Sequence, residues 1–271
     1  MITLEEMKTR LDWEPRMVPA PMPTDWAAWA RGDDVDIIDD EKSSVLLRED
    51  QVLSRVSSKY HPFLNRDLVA LAEQATNEGW GIDSVLEFNN GRSVVVNLFD
   101  ATTLHGDHQL LTALVNSFTG KEALRLLPLN RRIVCRNQLP YYAGQRSYRH
   151  PHSKAAEFPH GMFATIRADL NARQTQMMEF KDITVDFAGY VEKLIDNMHG
   201  AEADEQFLDK RREQLMQAYE HPTAPAKGTA YAALQAVILA DEQIIGRRGW
   251  RTVYGSEMSQ LGLELLESEY V

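Results

Sequence analysis

Residues 131–154 read RRIVCRNQLPYYAGQRSYRHPHSK and interleave Arg131, Arg132, Arg136, Arg146, Arg149 and Lys154 with Tyr141, Tyr142 and Tyr148. That mixture suits unpaired nucleic acid. Cations follow the phosphates while aromatic faces stack on exposed bases, each stack contributing roughly 1–3 kcal/mol. Residues 123–156 hold seven basic groups and no acid, whereas residues 1–122 carry 11 basic and 21 acidic groups and residues 157–271 carry 11 and 19. A net charge of −11 excludes a protein that coats nucleic acid with its whole surface, so an anion-binding role is confined to this island. The same residues would also serve a solvated strand pair whose arginines meet the acidic N-terminal region or a protein surface. Composition leaves both readings open.

Other constellations are weaker. His105, Asp107 and His108, with His150, His152 and His160 further along, fall short of the three or four convergent ligands that zinc or iron requires. They are expected to be surface-loop histidines, and no metal is predicted. Gly120-Lys121 lacks the upstream glycine of a phosphate loop, since position 115 is Val, so neither ATP dependence nor any other cofactor is expected. Ser117 reads as a turn former rather than a nucleophile. The acidic pairs Asp33-Asp34, Asp39-Asp40 and Asp204-Glu205 lie in charge runs that ordinarily face solvent rather than hold magnesium. Lys210, Arg211 and Arg212 lie opposite Phe207, Leu208, Leu215 and Met216 on an expected helix. They form either a second cationic contact or the solvated face of an amphipathic helix. The single cysteine, Cys135, between apolar neighbours, is expected in a buried strand; one thiol forms no internal disulfide, which fits a reducing compartment.

These residues need elements to position them. Residues 1–43 are rich in proline and acid and carry Trp13, Trp26 and Trp29; they read as an irregular arm. From Ser44 a period of two sets in. Val45 and Leu47, then Val52, Leu53 and Val56, flank Arg48-Glu49-Asp50 as a hairpin. Asn65 is expected to cap a helix over 66–77 that Gly79 ends. Residues 80–88 and 93–99 are predicted strands joined by Asn89-Asn90-Gly91, with further strands at 110–118, 123–127 and 132–135. After residue 153 the pattern turns helical, with helices expected at 154–176, 182–198, 203–220, 229–246 and 256–268. The class is therefore α+β: a meandering antiparallel sheet with one packed helix over 44–153, followed by a C-terminal helical lobe over 154–271. No apolar run reaches the roughly 20 residues of a membrane span, and Met1 to Met17 lacks a secretory pattern. A cytoplasmic location in a bacterial host cell is expected.

Six features carry a resemblance: SKYHPFLN (58–65), the strand opening at Trp80, VNSFTG (115–120), RRIVCRNQL (131–139), GTAYAALQAV (228–237) and RTVYGSEMSQLGLELL (251–266). In this order, from about residue 10 to 268, the chain resembles the phage/plasmid-like proteins that carry domain of unknown function 932, which implies mobile-element biology. Its α-β-β-β layout also looks like the core of phage single-strand annealing recombinases, at the level of topology only. Taken with the basic island, these resemblances lead to the expectation of an ATP-independent, non-enzymatic protein that binds single-stranded DNA through residues 131–154. It would act as a homo-oligomer, a ring or a helix, in DNA recombination by annealing. The alternative is a counter-defence or regulatory factor that binds proteins through its acidic surface and no nucleic acid.

Overall fold

The computed structural model describes residues 1–105, 108–120, 124–132, 138–140, 148–150, 161–199, 204–221, 225, 227–245 and 257–270. The chain is α+β, with two antiparallel sheets and a helical C-terminal half. The smaller sheet has the order β1 (Arg16–Pro23), β2 (Ile37–Arg48), β3 (Gln51–Ser57). The larger follows β4 (Trp80–Phe88), β5 (Ser93–His105), β6 (His108–Ser117), β7 (Leu124–Arg132) and β8 (Gln138–Pro140), with β9 (Tyr148–His150) also on β7.

Residues 1–43, expected to be irregular, instead contribute α1 (Leu4–Arg10), β1, α2 (Trp26–Ala30) and the start of β2. The prolines explain both the expectation and the structure. Pro19, Pro21 and Pro23 alternate along β1, and β1 is an edge strand, the position where a missing N–H faces outward at no cost to the ladder. The 44–57 hairpin forms as expected, extended at its start to Ile37, and Glu49 adopts the left-handed conformation its tight turn requires.

Helix α3 (Asn65–Asn77) begins one residue earlier than expected, and Asn65 is not its cap. The Asn65 amide instead donates to the Trp13 carbonyl at 2.7 Å. Glu14, in the N-terminal segment, accepts from the Asn65 and Arg66 backbone N–H groups at 3.0 and 2.8 Å. A carboxylate distant in sequence thus satisfies the orphan donors of the first turn. Gly79, at φ 88°, ends the helix as expected.

The β4–β5 hairpin turns through Asn89, Asn90 and Gly91, all at positive φ, and β5 runs past the expected Phe99 to His105. Along β5 and β6 the larger sheet is buried on both faces. On one side Val94, Val96, Leu98, Leu110, Leu114, Leu124 and Leu126 join the main core. On the other Val95, Leu111, Ala113, Val115 and Leu127 form a second buried cluster with Phe88 and Phe99 packed against it. This accounts for the contiguous runs Val94-Val95-Val96 and Ala113-Leu114-Val115, which replace the simple alternation of a sheet with one wet face.

Helices α4 (Met162–Glu179), α5 (Phe187–His199), α6 (Glu205–Tyr219), α7 (Ala230–Ile245) and α8 (Glu257–Tyr270) form the C-terminal lobe. It packs on the sheet through one core cluster that extends from Met7 to Leu266. Arg167 of α4 fastens the two parts. It pairs with the buried Asp100 carboxylate of β5 at 3.1 Å, donates to the Glu78 carbonyl at 2.7 Å and lies over the Trp80 ring. Among the described residues no helix is long and apolar enough to cross a membrane.

Candidate nucleic-acid interface

The far edge of β7 collects what the structure describes of the basic island. Strand β7 ends at Arg132; the chain then returns as β8 alongside Leu129–Arg131 and again as β9 alongside Leu124–Leu126. Two short strands therefore share one edge. The register sets Arg149 opposite Arg125, and Arg131 between Gln109 on β6 and Gln138 on β8.

Because strand positions alternate between faces and paired positions share one, positions 125, 131 and 149 fall on the face of Leu111, Ala113 and Leu127. Positions 132 and 148 fall on the opposite face, with Leu124 and Leu126. The expected site is thus divided. Positions 131 and 149 share the face of Arg125, with 149 directly paired to it and 131 six residues further along β7, while positions 132 and 148 fall on the other face. Arg136, Tyr141, Tyr142, Arg146 and Lys154 lie outside the described residues, as does Cys135.

Arg125, half-buried in β7, is the residue that site selection by sequence passed over. The signal was available: it is the one polar position in Leu124-Arg125-Leu126-Leu127, and it stands opposite Val115. An arginine keeps its charge wherever it is placed, and a second arginine at the directly paired position raises the local positive potential.

The remaining candidates resolve into structural roles. Ser117, buried at the end of β6, shares a 2.9 Å hydrogen bond with the Thr119 hydroxyl and so forms the turn expected of it. Asp204 caps α6 by accepting from the Gln206 N–H. Asp40 accepts from the Ser43 hydroxyl, the Lys42 N–H and Arg55, which hold its carboxyl down at about 2. Arg212 is bound by Glu192 and Asp209 at 2.7–3.0 Å, and Arg211 lies over the Phe207 ring. Two members of the α6 basic run are therefore engaged within the chain, and the expected division of that helix holds only in part: Leu215 is buried, but Phe207 and Met216 are exposed while Arg211 and Arg212 are half-buried. His105 and His108 are paired positions at the β5–β6 end. Among the described residues no group of three His, Cys, Asp or Glu could hold a metal ion.

Two of the blocks that carried the resemblance are joined in space. The Tyr60 hydroxyl donates to the Ser117 carbonyl at 3.2 Å, and the Asn116 amide donates to the Phe63 carbonyl at 2.7 Å; the SKYHPFLN block is thereby bound to the VNSFTG block. Burial pushes the Tyr60 hydroxyl well above its ordinary range, so it stays a donor. In the C-terminal blocks the Gly228 N–H donates to the Tyr219 hydroxyl at 2.6 Å, and the Tyr190 hydroxyl donates to the Gly262 carbonyl at 2.9 Å. A Cβ at Gly262 would stand 2.7 Å from that hydroxyl, so glycine there is a packing requirement. The family model described as "Domain of unknown function (DUF932)" matches residues 52–252, well over half of the chain. The chain belongs to this family. That span holds the whole larger sheet and the helices through α7, and leaves α1, β1, α2 and β2 outside it. No curated protein and no solved structure matches the chain.

Proposed function

We propose that this member of the DUF932 family is an ATP-independent, non-enzymatic protein that binds single-stranded DNA along the β7 edge of its larger sheet. Copies of it would assemble so that successive edges form one track for strand annealing. The observation that supports the reading most is the double return of the island to β7, which gathers positions 125, 131 and 149 on one face of one edge. A polyanion with regularly spaced charges is the partner such a row suits, and the tyrosines of the island supply faces for unpaired bases. One island contacts only a few phosphates, so a single copy binds weakly at physiological salt. Assembly raises effective concentration without any new contact. The acid-rich flanks keep the remainder of the surface from competing for DNA.

The protein-binding alternative draws support from the exposed acidic tip of the smaller sheet. A short labelled single strand separates the two readings. Arg131→Ala and Arg149→Ala should each weaken binding in fluorescence anisotropy and lower the salt slope by about 0.7 for each phosphate no longer neutralised, whereas Arg132→Ala, at a position on the opposite face, should change little. Unchanged affinity and slope in the Arg131 and Arg149 variants would leave the protein-binding reading.

A further inference from the structure

Strands β1 and β2 run on past the end of β3 as a two-stranded ribbon. Strand β3 stops opposite Ser43, whereas the β1–β2 pairing continues to Pro23 and Ile37, and the Thr24 N–H still donates to the Asp36 carbonyl at 2.9 Å. Helix α2 lies in the loop that closes the ribbon. No residue of 24–42 is buried.

The two edges of the ribbon are built differently. In an antiparallel pair, residues that bond across the pair alternate with residues whose N–H and C=O point outward. The Thr24–Asp36 bond fixes the phase: positions 22, 38 and 40 bond inward, and positions 21, 23, 37 and 39 face outward. On β1 every outward position from 19 to 23 is a proline, which has no N–H, so that edge is closed. On β2 Ile37 and Asp39 keep both backbone groups, and no strand among the described residues pairs with them on that side. One open edge beside a closed one accepts a single added strand.

Charge selects the occupant. From Asp25 to Glu41 there are seven acids and one base, Arg31. Three of the acids are engaged within the chain: Asp25 caps α2, Asp33 pairs with Arg31 at 3.0 Å, and Asp40 binds Ser43 and Arg55. The carboxylates of Asp34, Asp36, Asp39 and Glu41 have no partner among the described residues. Pairing β2 with the β2 of a second copy would set these carboxylates against each other, whereas a cationic segment would neutralise them. Beside them Ile37 and Ile38 are 56 and 47% exposed, and in the closing loop the exposed Trp26 and Trp29 rings meet edge to face at 5.5 Å. Large apolar side chains gathered in water mark contact surfaces.

We propose that an extended, lysine- or arginine-rich segment of another protein adds as a strand to β2 over residues 37–41. Its backbone bonds to Ile37 and Asp39, its cations meet the four unpaired carboxylates, and its apolar side chains lie against the isoleucines. The ribbon precedes the family-matched residues 52–252, and the proposal does not depend on strand binding at β7.

The experiment uses the full chain and a labelled peptide of alternating lysine and valine, about ten residues long, in fluorescence anisotropy. The unaltered chain should bind it at low salt, with affinity that falls as salt rises. Ile37→Pro removes one outward N–H, leaves the β1 ladder and every carboxylate in place, and should weaken binding roughly tenfold. Asp36→Asn/Asp39→Asn/Glu41→Gln keeps the edge, removes charge, and should weaken binding by a similar factor. On binding, amide exchange should slow at Ile37 and Asp39 and stay unchanged at Met22. A chain that ignores the peptide, or an Ile37→Pro variant with full affinity and an unchanged thermal melt, would overturn the proposal. So would equal binding of a peptide with glutamate in place of lysine, or of one with proline in place of valine, which keeps charge but cannot pair as a strand. A dimer of the unaltered chain that Ile37→Pro abolishes would make a second copy the occupant and overturn it too. Should the Ile37→Pro melt shift, amide exchange in the unaltered chain and the carboxamide variant decide by the same criteria. Single-strand binding without peptide binding sinks this proposal alone, and peptide binding without single-strand binding sinks the proposed function alone.

Discussion

The two sheets of this chain are both antiparallel and both rich in apolar residues, yet they spend those residues differently. In the larger sheet Leu111 and Leu114, three positions apart on β6, enter separate cores on opposite faces, and both are fully buried. In the smaller sheet Ala20, Leu46, Leu53 and Val56 are buried at the base, while Ile37 and Ile38 at the far end stand in water. The difference teaches that one strand can hold up the fold at one end and leave large apolar side chains in water at the other.

Alanine substitutions test the contrast at its largest. Leu111→Ala and Leu114→Ala should each cost about 2–5 kcal/mol in urea unfolding. Ile38→Ala, at a salt concentration where the chain is monomeric, should stay within about 0.5 kcal/mol. A small loss at Leu111 would mean the second face is not a packed core. A large loss at Ile38 would place the tip inside the monomer's own core.

A second contrast lies inside the helical lobe, where Asp241 of α7 is buried against the Ser259 hydroxyl of α8 at 2.7 Å. Burial pushes its carboxyl up to about 6, against the opposing pull of Ser259 and Arg211. Since the folded state holds this proton more tightly than the unfolded chain, whose value is near 3.8, stability falls as pH rises from about 4 to 6 and is level above. Asp241→Asn should remove that slope and gain up to about 3 kcal/mol at pH 7 relative to pH 4, read from paired urea melts. A variant with the slope of the unaltered chain would assign the pH dependence elsewhere.

The smallest effect concerns the join between the N-terminal segment and the family-matched span. Glu14→Ala removes the acceptor of two α3 donors and should cost about 1 kcal/mol, with amide exchange faster at Asn65 and Arg66 and unaltered at mid-helix. Equal protection at both amides would show that another group caps the helix.

Much of this architecture was visible in residue pattern because its signals were local. Asn89-Asn90-Gly91 determines a hairpin through its positive φ values, and α3 and α5 follow from apolar residues repeating at helical spacing. What escaped was held by distant partners. Asn65 has the chemistry of a cap, but the Trp13 carbonyl draws its amide away and Glu14 fills the vacant role. The N-terminal prolines read as irregular because their tolerance in a strand depends on β1 being an edge, a fact of topology. Arg125 was passed over because only the return of β9 sets Arg149 opposite it. The charge of the island was evident from composition, but its division between two faces of the sheet depends on register.

That division gives the sharpest test of the strand-binding edge. Anisotropy of a labelled single strand, titrated across salt, compares the unaltered chain with Arg125→Ala/Arg131→Ala/Arg149→Ala. The unaltered chain should bind with affinity that falls steeply as salt rises, and the triple variant, still folded by its melt, should lose about two units of that slope. A triple variant with unchanged slope and affinity, or an unaltered chain that ignores the strand at low salt, would contradict the account.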